Sequence, residues 1–459
     1  MDANRRTETD LEQALRPKSI FRAAMPLLAG LLLEQLIGLT DVLFLGRYGE
    51  AELAAAGIAS IFVMLLVMLG IGYSIGAQSL MSRANGAGDL RRVGEVFRQS
   101  ALFLVIAGAV VAIVTVVLLE PVFAPAIGSP EVRRAAVDYV FWRTIALPVA
   151  YLCLLGRAFF VSILRPRVLT VSSFVMVAVN CALNAVLIFG IGPFPELGIA
   201  GAAIASALSE IAALLVLFIR LAMEREWLVR TLSGPWAPVR ELQSKLFGLG
   251  RWLMLQEAVA FGVWLFFFIS VEQITGERGL AISNVVRQLG SLLFLFVHAF
   301  GTTCGSLAAN LAGAGSPERI SGLCWLGLKI CAAAMVLPSA VFLLFPEAVL
   351  GLLTDLPDVI EDSKPAYYVM TVSYILSIPC YYYYFILGAL GFARESFRIT
   401  ILAAFVYALY VGLLAMVGTS VAVFWTSDTV YAVVLGAGAW LVWLRSGRRL
   451  RQGALTSAD

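Results

Sequence analysis

The sequence predicts an all-α polytopic membrane protein with 12 transmembrane helices arranged as two six-helix repeats. Three observations support this fold class: the composition, a series of long apolar runs, and short motifs that recur in the same order in both halves. The 459 residues are 60% hydrophobic and 14% charged, whereas a soluble protein carries roughly 25% charged residues. This composition excludes an ordinary soluble enzyme.

The apolar runs are long enough to be membrane spans, because a helix needs ~20 residues to cross the hydrocarbon core. They do not alternate apolar and polar residues as the strands of a membrane barrel would, so helices are the expected spanning elements. In chain order the predicted spans are 19–46, 52–82, 93–119, 135–160, 167–190, 198–222, 246–273, 279–311, 320–345, 364–390, 396–417 and 420–445.

Basic residues lie mostly on one side of the predicted membrane. With the N-terminus placed inside, 24 of the 33 Lys and Arg residues fall in cytoplasmic stretches, 5 in external loops and 4 within apolar segments. An excess of basic residues on the cytoplasmic side is the usual signal for orientation. The sequence therefore predicts a multi-pass protein of the plasma (inner) membrane with both termini cytoplasmic.

The two halves of the chain repeat. Gly86-Ala87-Gly88 follows the second span, and a copy follows the eighth span, displaced by 227 positions. Three further echoes occur at displacements of 230 to 231: Gly46 and Gly49 with Gly276 and Gly279, Pro148 and Tyr151 with Pro379 and Tyr382, and Thr170 with Thr400. Six helices per repeat predict two lobes related by an axis along the membrane normal, with a cavity between them.

The predicted domains follow from this repeat. An N-lobe of helices 1 to 6 and a C-lobe of helices 7 to 12 are joined by a cytoplasmic linker that contains Ser233, Gly234 and Pro235, residues typical of a loop. The bounds are a cytoplasmic tail over 1–18, the N-lobe over 19–222, the linker over 223–245, the C-lobe over 246–445 and a cytoplasmic tail over 446–459.

Several motifs resemble those of the multidrug and toxic compound extrusion (MATE) family. They are Gly38-Leu39-Thr40-Asp41 through Gly46-Arg47-Tyr48-Gly49 to Leu53-Ala54-Ala55-Ala56-Gly57, the two Gly-Ala-Gly copies, Asn180 with Asn184, and Gly198-Ile199-Ala200-Gly201-Ala202-Ala203. Arg143, in Tyr139-x-x-x-Arg143 before Pro148, is more similar to the DinF-like branch than to the NorM branch. The resemblance implies a MATE-like fold of the MOP superfamily and an antiporter that exports amphipathic, often cationic small molecules on an inward H⁺ or Na⁺ gradient.

Asp41 is the first candidate for cation coupling. It lies six residues before Arg47 at the outer end of the first span, hence about 9 Å deep at 1.5 Å per residue. An ionisable side chain at membrane depth is unfavourable by about 2.5 to 3.5 kcal/mol, so it needs a partner or a function. Desolvation favours the neutral carboxyl, which suits a site that loads and unloads a proton. The alternative is a carboxylate held permanently by hydroxyls or a cation.

Asn180 and Asn184 are also candidates for cation coupling, because residues i and i+4 share one face of a helix. They could hydrogen-bond Asp41 or join it as oxygen ligands of a Na⁺ ion; the alternative is hydrogen bonding between helices. In some relatives the later position is an acid, and Asn184 removes that charge. Ser206 and Glu210, another i, i+4 pair, are predicted to complete the pocket, with Glu210 as a substrate-binding residue.

Glu34 shares a helix face with Asp41 about 10.5 Å further in, and it is predicted to bind a positive charge on the substrate. Its alternative is a snorkelling or packing acid. Gly38 between them is expected to allow a close approach by another helix or a ligand. In the second lobe, Glu257 corresponds to the acid that the NorM-like branch uses for cation binding.

The tenth span lacks the Asp that usually accompanies that acid, since residues 379–384 read Pro-Cys-Tyr-Tyr-Tyr-Tyr. Arg287 and Glu272 could instead form a structural ion pair that includes Glu257. His298 is predicted to bind substrate or relay protons, with a hydrogen-bonded core histidine as the alternative. Of Tyr381 to Tyr384, at least one is expected to face the cavity and contact an aromatic or cationic substrate, and Tyr382 is the predicted one.

Three other functions compete with coupled export. A flippase for lipid-linked or polysaccharide precursors would use Arg143, Arg157 and Arg287 against pyrophosphates, but Glu34, Asp41 and Glu257 oppose it. An enzyme is disfavoured by the single histidine and by the absence of an H-E-x-x-H motif or a phosphate loop. A passive channel is disfavoured because two repeats around a central site suit alternating access.

No cofactor is expected beyond H⁺ or Na⁺ as the coupling ion. The expected partners are the lipid bilayer and a small-molecule substrate, without ATP or nucleic acid, and the expected state is a monomer. The six cysteines lie in apolar stretches without disulfide or metal spacing, so they are expected to be core residues and no structural metal is predicted. A Na⁺ ion bound by Asp41, Asn180 and Asn184 is the one metal ion considered.

Overall fold

A computed structural model describes residues 16–224, 227, 233–353 and 357–451. Every regular element in these ranges is helical. Most of the predicted N-terminal tail, part of the linker and the last residues of the predicted C-terminal tail lie outside the described residues. The prediction of an all-α chain is confirmed.

The helices are numbered here in chain order. Their bounds are α1 Pro17–Tyr48, α2 Glu50–Gly86, α3 Leu90–Ala126, α4 Pro130–Ile145, α5 Leu147–Ser162, α6 Arg167–Phe189, α7 Gly198–Met223, α8 Arg240–Gly313, α9 Ile320–Leu344, α10 Pro346–Leu350, α11 Pro357–Ala389, α12 Ala393–Val417, α13 Val421–Phe424 and α14 Thr426–Arg451. A 3-10 turn, Pro317–Arg319, leads into α9.

Ten helices in the described part of the chain are long and apolar enough to cross a membrane, and α4 and α5, which are bent by 51° relative to each other, together form an eleventh span. The 74 residues of α8 would extend about 110 Å at 1.5 Å per residue, far more than one bilayer requires. Gly276 interrupts α8 with a non-helical φ of 69°. Dividing α8 there gives twelve spans, which agrees with the prediction.

Helix ends follow local chemistry. The side chain of Asp89 caps α3 by accepting a hydrogen bond from the Arg92 amide at 2.9 Å. Ser129 and Pro130 together begin α4, the first as the cap and the second in the first turn. The helices α6 and α12 end at left-handed glycines, Gly190 with φ 65° and Gly418 with φ 68°.

The Gly-Ala-Gly repeat forms the same turn twice. Its last glycine has a positive φ in both copies, 72° at Gly88 and 73° at Gly315. Only glycine adopts this conformation without strain. The amide of the following residue donates to the carbonyl five positions earlier in both copies, Asp89 to Ala84 at 2.9 Å and Ser316 to Leu311 at 3.0 Å. The predicted duplication is therefore present in the backbone as well as in the sequence.

The chain divides into two compact units. The N-unit contains residues 25–85 and 89–254, and the C-unit contains residues 86–88, the residues from 255 onward and the beginning of α1 through Ala24. The division along the chain therefore falls inside α8. Each candidate site described below lies within one of these units.

Close packing of α6 against α7 places the polar side chains of the N-unit. A Cβ atom on Gly201 would lie 2.5 Å from the Leu187 carbonyl oxygen, so only glycine allows this approach. At Gly38 the structure places no neighbouring helix: apart from the atoms of its own helix, no heavy atom among the described residues lies within 4 Å of a Cβ at this position. The predicted close approach of a ligand at Gly38 stays a prediction.

Gly201→Ala is expected to destabilise the protein by about 1 to 3 kcal/mol, because the added methyl overlaps backbone atoms that cannot move independently. The measurement is thermal unfolding of the purified protein in detergent. Gly38→Ala is the matched control on α1, and its melting temperature should equal the wild-type value or exceed it, since alanine favours the helix. Equal melting temperatures for the two variants would contradict the close packing at Gly201.

Candidate functional sites

Asp41 is the centre of a polar site in the N-unit. The Asn184 side-chain amide donates to Asp41 Oδ1 at 2.6 Å, and the Ser206 hydroxyl donates to Oδ2 at 3.3 Å. Asn184 and Asn180 are completely buried, while Asp41 is half-buried. The structure thus brings together α1, α6 and α7, as the polar residues of these spans suggested.

Asn180 connects the donors of this site to one another. Its Oδ1 accepts from the Asn184 amide at 3.1 Å and from the Thr40 hydroxyl at 3.4 Å, and its own amide donates to Ser206 Oγ at 3.2 Å. The one buried oxygen of this site without a hydrogen-bond partner among the described residues is Asn184 Oδ1. A buried oxygen without a partner is unfavourable unless a hydrogen-bond donor or a cation contacts it.

Asp41 lies on α1, which is continuous from Pro17 to Tyr48 although it contains Pro26. Proline removes one backbone donor and so weakens the helix at that position. The Thr170 hydroxyl of α6 donates to the Pro26 carbonyl at 2.7 Å and supports the weakened turn. The same pair of helices therefore fixes both the proline and, four turns later, the carboxylate.

Two ion pairs lie in the same unit. Arg143 Nη2 contacts Glu210 Oε1 at 2.9 Å, with side chains only 13% and 17% exposed. Glu34 pairs with Arg157 and accepts from the Ser173 hydroxyl, which lies 2.8 Å away. Both acids therefore have a cationic partner, Glu210 in Arg143 and Glu34 in Arg157, and neither presents a free negative charge. Their predicted roles in substrate binding stay predictions.

The two ion pairs leave Asp41 without a cation at ion-pair distance among the described residues. The two ion pairs cancel internally, and the direct hydrogen-bond partners of Asp41 are neutral. Arg143 lies within electrostatic range of Asp41 without forming an ion pair with it. A cation could bind the Asp41 carboxylate after its neutral hydrogen-bond partners, Asn184 and Ser206, turn away. This rearrangement would break no salt bridge.

Glu257 is half-buried in the C-unit and has no cationic partner among the residues described. The one hydrogen bond to it is long, 3.5 Å from the Gln256 side-chain amide. The predicted structural ion pair with Arg287 and Glu272 is wrong: Glu272 is exposed, and Arg287 stacks instead over the rings of Trp264 and Phe268. The break at Gly276 separates Glu272 from Arg287 and explains the difference.

Asp428 is the acid that sequence reasoning missed. It lies near the start of α14, half-buried, with the Tyr407 hydroxyl as its hydrogen-bond partner. Both Asp428 and Glu257 are within electrostatic range of Tyr431. The sequence does contain a signal for it: Asp428 is an ionisable residue inside the twelfth apolar run, and such residues are candidate functional residues, as Asp41 is. The MATE resemblance placed the second acid in the tenth span, whereas the structure has it at the start of α14.

The four consecutive tyrosines face different surroundings because each residue turns a helix by 100°. Tyr382, the predicted substrate-binding residue, is completely buried against the Cys304 sulfur near Gly327, so it does not face a cavity. Tyr381 is the member of the run that packs on Phe294, with ring centroids 5.2 Å apart, and lies near Asp428. The correction moves the candidate by one residue.

His298 packs in an aromatic layer of the C-unit. Its ring is stacked on Phe294 at a centroid distance of 6.2 Å and tilted against Phe385 at 4.9 Å. Its predicted role in proton relay or substrate binding stays a prediction. The six cysteines are free thiols within apolar helices, and among the described residues no group of three His, Cys, Asp or Glu side chains is arranged to hold a metal ion.

The hydrolase pattern Gly-x-Ser-x-Gly is present at Gly72-Tyr73-Ser74-Ile75-Gly76, but its setting excludes that chemistry. In hydrolases the motif forms a sharp turn between a strand and a helix. Here α2 continues through it, and Ser74 is buried. A Cβ atom on Gly72 would lie 2.6 Å from the Leu253 backbone, so this glycine serves helix packing.

Comparison with known proteins identifies the family. The MatE family model matches residues 26–186 and 253–414. The chain belongs to the MATE family. The two matched ranges begin 227 positions apart, the same displacement that separates the Gly-Ala-Gly copies. MATE family proteins are transporters, so the expectation of a membrane transporter instead of an enzyme is confirmed.

Several known proteins are similar to this chain over most of its length. A probable multidrug resistance protein NorM of Thermotoga maritima is 25% identical over 361 residues, which is 76% of this chain and 74% of that protein. A FAD transporter of Shewanella oneidensis is 25% identical over 368 residues, 79% of this chain and 78% of its own length. A solved structure of MATE in complex with MaL6 has a TM-score of 0.86 at 19% identity, covering 97% and 99% of the two chains. This likeness supports the fold.

Proposed function

We propose that this MATE family transporter is an antiporter that exports amphipathic, cationic small molecules from the cytoplasm in exchange for H⁺ or Na⁺. The observation that carries the proposal is Asp41, a carboxylate at membrane depth that is held by neutral donors only. Relatives named as multidrug resistance proteins support export of more than one compound.

Asp41 and Asn184 form a pair that suits both charge states of the carboxyl. An ionised Asp41 accepts from the Asn184 amide, as observed. A neutral Asp41 carries a proton that needs an acceptor, and the buried Asn184 Oδ1 has no other hydrogen-bond partner among the described residues. Rotation of the Asn184 amide would exchange donor for acceptor. Proton loading is thereby possible without leaving a buried donor unpaired.

Na⁺ is the alternative coupling ion at the same place. The Asp41 carboxylate, the amide oxygens of Asn180 and Asn184, and the Ser206 hydroxyl are the oxygen ligands that a hard cation prefers. In either case the ion neutralises Asp41 from outside, and α1 rearranges near Pro26, where a backbone hydrogen bond is missing. The substrate is then released, and alternating access resets the cycle.

The proposed location is the plasma (inner) membrane with both termini cytoplasmic, as the distribution of Lys and Arg favours. The proposed functional state is a monomer that uses an ion gradient without ATP. The nearer similarity to the DinF-like branch, which rests on Tyr139, Arg143 and Pro148, belongs to the same proposal.

The flippase alternative loses much of its support. Anionic pyrophosphate substrates require free cations, and the sequence offered Arg143, Arg157 and Arg287. Arg143 and Arg157 are paired with Glu210 and Glu34. Breaking either pair would leave a carboxylate buried and unpaired, which is strongly unfavourable. Only Arg287 remains available, and it lies in the other unit.

The proposal is tested by efflux of ethidium, a fluorescent lipophilic cation, from proteoliposomes under an imposed pH gradient and, separately, under an imposed Na⁺ gradient. We expect one of the gradients to accelerate efflux several-fold over liposomes without protein. Proton-driven efflux would support coupling through protonation of Asp41. Na⁺-driven efflux would support Asn180 and Asn184 joining Asp41 as ligands, or Glu257 as a ligand in the second lobe. Efflux that neither gradient accelerates would contradict coupled export of cations.

A further inference from the structure

Lys329 is a cation of the C-unit that the proposed transport mechanism does not use. It lies in α9, nine residues after the first residue of the helix, hence about 13.5 Å along the axis of a span that is apolar enough to cross a membrane. No described carboxylate lies at ion-pair distance from its ammonium group, whereas Lys245 and Lys364 both pair with glutamates at 2.8 Å. A lysine at this depth needs a counter-ion or a path to the interface.

The two faces of α9 have different surroundings. One face packs within the C-unit and includes the completely buried Cys324 and Cys331. The opposite face is exposed, with Trp325 56% and Val336 66% accessible. Lys329 is exposed at the centre of this second face, four residues after the tryptophan and seven before the valine. A broad exposed apolar face on a membrane span contacts lipid, so the ammonium group of Lys329 lies on the lipid side of the helix.

Trp325 sets the direction of the Lys329 side chain. Side chains of a helix point toward its N-terminus, so Lys329 extends over the residue four positions earlier. Its Nζ lies 5.2 Å from the centre of the Trp325 ring. In the proposed orientation α9 begins on the cytoplasmic side, so this direction brings the charge closer to the headgroup region, where tryptophan is favoured. The two residues therefore place a cation near the boundary between acyl chains and headgroups.

Space for a ligand is present beside this cation. Gly322 lies on the same face of α9, seven residues before Lys329 and nearer the start of the helix. Apart from the backbone of its own helix, no described heavy atom lies within 4 Å of a Cβ at Gly322. The face therefore presents, in order from the start of α9, an open space, a cation on an aromatic ring and an apolar surface at Val336. A phospholipid has its headgroup, phosphate and acyl chains in this order.

We propose that this face of α9 binds an anionic phospholipid, with the phosphate on Lys329, the headgroup over Gly322 and the acyl chains along Val336. The lysine ammonium is a compact charge that donates to phosphate oxygens. A zwitterionic lipid would bring a second cation beside Lys329, and no described carboxylate lies at ion-pair distance there to offset it. A lipid with a net negative charge compensates the lysine. The inference goes beyond the proposed export function and does not depend on it.

The test compares two lipids with identical acyl chains. Phosphatidylglycerol carries a net negative charge, whereas phosphatidylcholine is zwitterionic. Native mass spectrometry of the full-length purified protein in detergent gives the binding constant of the first molecule of each lipid, and wild-type protein should prefer phosphatidylglycerol. For Lys329→Gln we expect phosphatidylglycerol to bind about fivefold more weakly, because one basic residue contributes about this factor near anionic lipid, and phosphatidylcholine to change less than about twofold.

Lys364→Gln is the matched control. Lys364 is a lysine of the same unit whose charge is already compensated, with Glu347 at 2.8 Å and Glu361 at 2.6 Å. This variant should bind both lipids as the wild type does. Lys329→Arg keeps the positive charge and should retain the preference for phosphatidylglycerol. Size-exclusion profiles and melting temperatures establish that all three variants are folded.

Three results would overturn the inference. Equal affinity of the wild-type protein for the two lipids, or equal losses for both in Lys329→Gln, would show that Lys329 reaches the interface without selecting a charged lipid. Displacement of phosphatidylglycerol by millimolar inorganic phosphate would show a site for a free anion instead of a lipid. Failure of the proposed export function has a different signature, because it appears in ethidium efflux and leaves the lipid binding constants unchanged.

Discussion

Asp41→Asn should abolish gradient-driven export while the protein still folds and inserts. Asparagine has nearly the same size and can keep a hydrogen bond to Asn184, which donates to Asp41 at 2.6 Å in the wild type. It cannot be charged, so it neither takes up a proton nor attracts Na⁺ or a cationic substrate. The measurement is ethidium efflux from proteoliposomes, where the gradient-dependent component should fall to the level of protein-free liposomes.

A matched control separates the loss of ion coupling from the effect of removing any one carboxylate. Asp362→Asn removes an exposed carboxylate that pairs with Arg278 across the surface of the C-unit. Exposed pairs contribute little to stability, so this variant should transport at the wild-type rate. Gradient-driven export by Asp41→Asn at the wild-type rate would remove Asp41 from the mechanism.

Arg143→Met should destabilise the N-unit by about 3 to 5 kcal/mol, because it leaves Glu210 buried without its partner. The double variant Arg143→Met/Glu210→Met removes both charges and should recover most of this loss, since well-packed apolar residues often replace a buried ion pair without cost. Melting temperatures of the purified proteins in detergent give the comparison. The non-additivity of the two substitutions measures the interaction of the pair.

The exposed pair of the C-unit is again the control. Arg278 and Asp362 are both 52% exposed, and Arg278→Met should change stability by less than about 1 kcal/mol. If Arg143→Met were no more destabilising than Arg278→Met, the buried ion pair would not be a structural element of the N-unit. If the double variant were as unstable as Arg143→Met, residues other than Glu210 would have to depend on the arginine.

Local sequence signals predicted most of the fold. The apolar runs predicted every span, and the Gly-Ala-Gly copies predicted a duplication that the positive φ angles of Gly88 and Gly315 confirm. Gly276 repeats Gly46 at a displacement of 230 positions, and its φ of 69° marks the break between the seventh and eighth spans. These features depend on composition and on single residues, which a sequence displays directly.

The sites were less predictable because they depend on contacts between distant helices. Asn180 and Asn184 share a helix face, so their proximity to one another was readable, and the resemblance to the MATE family suggested Asp41 beside them. The partners of Glu210 and Glu34 lie 67 and 123 positions away along the chain. No local pattern indicates which of several intramembrane arginines and acids will pair. The sequence also does not show how α11 is rotated about its axis. That rotation buries Tyr382 and places Tyr381 near Asp428.

If the carboxylate of Asp41 exchanges the coupling ion for the substrate, ethidium and the ion must compete for it, and equilibrium binding of ethidium measures that competition. The dissociation constant is measured on purified protein as a function of pH and of NaCl at constant ionic strength. In the wild type, binding should weaken as the pH falls, because protonation removes the negative charge, or as Na⁺ rises, because Na⁺ competes. In Asp41→Asn the dependence should vanish. The same pH or Na⁺ dependence in both proteins would contradict exchange of ion and substrate at Asp41.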